Sequence, residues 1–178
     1  PAWSCHAGAM TTSFTTLDEL DALERLPDDE LLSRLRAMVR QEYASTARLV
    51  AHLAEVDARR LYLAEGYASL YLFCLYELHL SEHAAFGRIK AARVARRFPR
   101  VLAELAEGTL TLTAIVLLMP HLTGPNHVEL IKAARGKTRR EVEEMLAARQ
   151  HENPHVVEDP GFGLHALAVD EQYFRRPG

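Results

Sequence analysis

The chain has 178 residues, 48% of them hydrophobic, with 24 acidic and 21 basic side chains and a formal net charge of −3. That is enough for one domain with a real core, and it excludes a uniformly basic particle, so any polyanion contact must come from a local patch. Two cysteines, Cys5 and Cys74, exclude a disulfide framework, lack metal-site spacing and suit a reducing cytoplasm.

Residues 1–16 lack periodicity and are expected to be disordered or a remnant of expression, with a natural start at Met10. No basic region followed by an apolar one marks a signal peptide. Lys90, Lys132 and Lys137 are the three lysines among 21 basic residues, and this arginine bias, with abundant Ala and Leu, suits a GC-rich bacterial genome. "LDELDALERL" (17–26) predicts a short acidic helix stopped by Pro27, and Asp28 or Asp29 can cap the next. Residues 31–64 hold no Pro or Gly, and apolar residues recur in steps of three and four from Leu32 through Leu35, Val39, Tyr43, Val50 and Leu53 to Val56. One long amphipathic helix is expected there, kinked or straight, ended by Gly66. Asp18, Glu19, Asp21, Glu24, Asp28, Asp29 and Glu30 read as solvated surface.

Ser69 is the expected cap of "LYLFCLYEL" (70–78), and Ser81 the cap of a basic helix that Phe98–Pro99 breaks. A short helix follows over 100–107, closed by Gly108. Thr111 or Thr113 then opens an apolar helix to about Met119. That run (110–120) is shorter than the roughly 18 residues of a membrane span. "TGPNHVELIKAARG" (123–136) predicts a helix with Pro125 in its first turn and Gly136 after its end. Thr138 is the expected cap of "RREVEEMLAARQ" (139–150), whose Glu141, Glu143 and Glu144 read as solvated partners of Arg139 and Arg140. Residues 151–178 read as linker and tail, with "LHALAVD" (164–170) alternating like a strand. The whole is an all-α, multi-helix domain over 17–150, followed by a short irregular tail.

The basic helix carries Arg88, Lys90, Arg93, Arg96 and Arg97, with Glu82 its one acid. At about 100° per residue, Ala84, Gly87, Ala91, Val94, Ala95 and Phe98 form one side. Lys90, Arg93, Arg96 and Arg97 lie opposite, with Phe86 and Ile89 on their side. A short helix, a tight turn and a Ser-capped second helix is the layout of a helix-turn-helix. The turn has His79 where glycine is usual, and Leu75 where a small residue is usual. In that layout Glu82, His83 and Arg88 lie near base edges, and Lys90, Arg93, Arg96, Arg97 and Arg100 suit phosphates of double-stranded DNA. The competing reading of the same residues is a solvated amphipathic helix with an arginine-rich outer face.

Residues 45–150 resemble the helical region that precedes HNH endonuclease domains in many bacterial proteins. The text that carries the likeness runs from "LVAHLAEVDARRLYLAEGYASLY" (49–71), through the basic helix, to "GKTRREVEEMLAARQ" (136–150). The resemblance implies a helical, DNA-associated targeting region, with the nuclease further along or absent in a stand-alone relative. Residues 78–118 are more loosely similar to the DNA-binding domain of ParB-type partition proteins, which implies the same placement of a recognition helix. It does not extend to partition activity, because the N-terminal motifs of that family are missing. "HENPH" (151–155) imitates the letters of an HNH site, but five residues cannot span a ββα-metal fold, so no nuclease activity is expected of this chain. There is no phosphate loop, GxSxG or HExxH, and no catalytic residue, metal or cofactor is expected. The rival function is an oligomerisation or protein-interaction module, with a homodimer formed through helix 31–64. The expected location is the cytoplasm, at the nucleoid, with no membrane contact.

Overall fold

The computed structural model describes residues 16–152, and every regular element among them is helical. The residues expected as an irregular N-terminus up to 15, the alternating stretch 164–170 and "NPH" (153–155) lie outside the described residues. The chain divides into two compact units, with the boundary after Val39.

In the first unit lie α1 (Thr16–Glu24) and the start of α2 (Asp28–Arg59). Asp28, Asp29 and Glu30 occupy the first turn of α2, where carboxylates oppose the positive end of the helix dipole. The expected long helix does not reach residue 64. It breaks at Arg60, which adopts a left-handed conformation (φ 52, ψ 38), and a short α3 (Leu61–Ala64) follows. No Gly or Pro foretells this break.

In the second unit α4 (Leu70–Tyr76) begins at Ser69, whose hydroxyl accepts from Leu72 N at 3.1 Å. It ends two residues earlier than its apolar run. Ser81 caps α5 (Glu82–Arg97) in the same way, through Ala84 N at 3.3 Å. Pro99 then opens α6 (Arg100–Ala106). Gly108 makes the turn to α7 (Leu112–Leu118) at φ 72, and a Cβ there would lie 2.3 Å from the Tyr43 ring. Only glycine fits both the sign of φ and the approach. Thr111 caps α7, and a 3-10 turn (Met119–His121) holds Pro120. α8 (His127–Ala134) starts after Asn126, so Pro125 precedes the helix instead of filling its first turn. The reason is local: Asn126 Oδ1 accepts from Thr123 N at 2.8 Å and Asn126 Nδ2 donates to His121 O at 2.9 Å, which fixes a turn there. Thr138 and Glu141 form a reciprocal capping box before α9 (Arg139–Glu152), which runs two residues into the expected linker.

The core of the second unit sits where α5 crosses α7. α5 also packs on α4 and α6, and α7 on α8 and α9. Val94, Val101, Ile115, Leu118, Leu130, Ile131 and Val142 are fully buried there, each contributing about 1.5–3 kcal/mol relative to exposure. Six residues of α5 are buried, namely Ala85, Ile89, Ala91, Ala92, Val94 and Ala95, and so is Phe98 at its C-terminal cap. The buried arc is therefore wider than the small-residue side read from the sequence. Ala84 and Gly87 are only half-buried, and Ile89 is inside.

Glu104 is a buried carboxylate, 2% exposed. Arg135 donates to both of its oxygens, at 2.6 Å from Nη2, and Thr109 Oγ1 donates at 2.8 Å. Gly136 N donates to Thr109 O at 2.7 Å, so this cluster fastens the turn after α6 to the turn after α8.

Candidate nucleic-acid interface

The corner between α4 and α5 is built from three backbone facts. Leu78 N donates to Phe73 O, Leu80 N donates to Cys74 O at 2.9 Å, and His79 between them takes φ 51. A left-handed residue lets the chain reverse within four residues and deliver Ser81 to its cap position. Tyr67, edge-on to Phe73 at 5.5 Å, donates to Glu77 at 2.8 Å and holds the end of α4.

Because so much of α5 is buried, its outward stripe is narrow. His83, Phe86, Lys90, Arg93 and Arg97 lie within about 80° of arc, and each is exposed or half-buried. Lys90 Nζ sits 4.0 Å above the Phe86 ring, and the Arg97 guanidinium lies 5.3 Å from the Phe98 ring. Glu82 and His83 are exposed at the start of the helix.

Of the other expected contacts, Arg88, Arg96 and Arg100 fall outside this stripe, and Arg93, at its edge, is engaged within the protein. Arg88 lies on the far side of α5 from Lys90 and is half-buried. Its Nη1 donates to Ala84 O at 3.2 Å, and its Nε is buried with no hydrogen-bond partner among the described residues. It is not grouped with Glu82 and His83. Arg93 donates to Asp57 at 3.0 Å, with both side chains largely shielded. Arg96 donates to Glu55 at 2.6 Å. Glu55 also accepts from Arg59 at 2.6 Å, and these two guanidiniums, Arg59 first, hold its carboxyl below the usual range. Arg100 stands 3.6 Å from the buried Glu104.

Arg93 and Arg96 also line an open cleft of about 660 Å³ where the end of α2, α3 and α5 converge. Asp57, Arg60 and Tyr62 line it too. Sequence reasoning passed over Arg59 and Arg60, although the doublet in "DARR" (57–60) was the signal for them.

No protein-family model, curated protein or solved structure matches the chain.

Among the described residues no group of three or more His, Cys, Asp or Glu is placed to hold a metal ion, and no helix is long and apolar enough to cross a membrane. Cys74 is fully buried, and burial pushes its thiol up to about 11. A thiol so rarely ionised is a packing residue, not a nucleophile.

Proposed function

We propose that the second unit binds double-stranded DNA through α5, entered from α4 by a helix-turn-helix corner. The observation that carries this reading is His79 at φ 51, the backbone conformation for which that motif uses glycine. Two further features support it. The exposed stripe of α5 carries His83, Lys90 and Arg97 beside Phe86, and the adjoining cleft adds Arg60, Arg93 and Arg96.

On this reading Glu82 and His83 face base edges. Lys90 and Arg97 meet phosphates. Arg93 and Arg96 exchange Asp57 and Glu55 for phosphate oxygens as DNA arrives. Arg88 and Arg100 serve the protein's own packing and take no part. The resemblance of residues 45–150 to regions preceding HNH nuclease domains supports a role as the targeting region of such an enzyme or of a stand-alone relative, at the nucleoid of a bacterial cytoplasm.

The test is a gel-shift titration of the full chain on duplex DNA at several salt concentrations. With four phosphates contacted, log affinity is expected to fall against log salt with a slope of about −3 to −4. Absence of binding at low salt, or binding indifferent to salt, overturns the reading.

A further inference from the structure

On the outward stripe of α5, His83, Lys90, Arg93 and Arg97 are basic or titratable side chains, and Phe86 is aromatic. Ile89, the other large apolar residue in the first half of this helix, turns inward and is 3% exposed. Phe86 does not follow it. It is half-buried and, among the described residues, is not one of the half-buried hydrophobics packed on the core. Lys90 Nζ lies 4.0 Å over its ring, a contact that favours one orientation of the ring on the stripe.

We propose that Phe86 is a base-reading residue, which contacts the 5-methyl group of a pyrimidine in the DNA major groove. The proposal rests on the duplex-DNA reading and deepens it. Position along the helix is its first support. Phe86 lies about 4.5 Å along the axis beyond His83 and about 6 Å before Lys90. On the DNA reading His83 faces base edges and Lys90 meets phosphate, so Phe86 lies within the groove between them.

The chemistry of the groove gives the contact. Its base edges present hydrogen-bond donors and acceptors, and the apolar group that stands out from them is the thymine methyl. A phenyl ring set against a ring nitrogen, a carbonyl oxygen or an amino group strips water from it and returns no hydrogen bond. Set against the methyl, it buries apolar surface on both partners. Methylated cytosine carries the same group at the same place on its ring. The ligand chemistry is therefore a 5-methylpyrimidine, from thymine or from 5-methylcytosine.

The test is fluorescence anisotropy of the full chain at low salt on two pairs of labelled duplexes. One pair is alternating dA·dT and its dU counterpart, which lacks only the methyls. The other is alternating dG·dC and its 5-methyl-dC counterpart. The parent is expected to bind a methylated duplex about three- to fivefold more tightly than its unmethylated counterpart, the scale of one buried methyl. A preference confined to the first pair assigns thymine as the source, and one confined to the second assigns methylated cytosine. In Phe86→Ala the preference is expected to vanish, whereas Phe86→Leu, which keeps an apolar side chain, should retain most of it. A purely structural role for the ring would weaken binding to both members of a pair alike. The parent's own preference needs no variant, so it stays decisive if Phe86→Ala does not fold. Equal affinity of the parent within both pairs overturns this proposal and leaves the DNA reading intact. A methyl preference that persists in folded Phe86→Ala also overturns it, because DNA shape and not the ring then carries the discrimination. Absence of binding to all of the duplexes overturns the DNA reading and this proposal with it.

Discussion

Glu104 shows how much one side chain settles. Its carboxylate is buried, yet two arginines and Thr109 surround it, and the hydrogen bonds from Arg135 hold its pKa below the usual carboxylate range. The folded-state value is depressed, so the stability it contributes is present above the ordinary glutamate range and is lost as pH falls through the folded value. Glu104→Gln is expected to cost about 2–4 kcal/mol at neutral pH, because Arg135 loses its countercharge while two turns lose their shared acceptor. Urea melts of parent and variant from neutral to acid pH check this. The gap between them should narrow as pH falls below the glutamate range, and a gap independent of pH counts against a charged Glu104. The arginine that shares this carboxylate at longer range, Arg100, shows why residue type alone misleads. In the sequence it continues a basic run, but in three dimensions it stands beside a buried acid.

At the scale of elements, α5 is both the most basic helix and one of the most buried. Small residues reconcile the two, since Ala85, Ala91, Ala92 and Ala95 let α4, α6 and α7 approach closely on several sides. What remains outside is one stripe, flanked by arginines that lean on the carboxylates of α2. Those carboxylates compete with any phosphate for Arg93 and Arg96. Glu55→Gln is therefore expected to raise DNA affinity about two- to fivefold at low salt, the scale of one exposed ion pair, without changing the melting temperature appreciably. Fluorescence anisotropy with a labelled duplex measures it. Unchanged affinity would mean that Arg96 is not a DNA contact, and the interface would shrink to Lys90, Arg93, Arg97 and the start of α5.

At the scale of the whole molecule, the two units differ in kind. Among the described residues every core residue lies after Val39, from Ala47 to Leu146, while Leu20, Leu23, Leu31, Leu32, Leu35 and Met38 of the first unit are exposed. Amide protection follows burial. Hydrogen exchange is expected to be fast over 20–38 and slowest in α5 and α7. Uniform slow exchange over 20–38 in dilute solution would contradict this division of stability.

The all-α class and most helix ends were legible in the sequence, because Ser69, Ser81, Thr111 and Thr138 cap through local bonds, and Gly66, Gly108 and Gly136 take positive φ at the stops they signal. These are short-range effects, set by neighbours along the chain. The break at Arg60, the two fates of the α2 stripe and the inward turn of Ile89 were not legible. Each depends on which helix lies across from it, and periodicity marks an apolar face without saying what covers it. The basic helix is the clearest case. Its composition announced a charged surface, but only tertiary packing decided that Arg93 meets Asp57, Arg96 meets Glu55 and Arg88 lies on the far side. An arginine's place depends on the carboxylates that folding brings near it, and Asp57 and Arg93 are 36 residues apart in the chain.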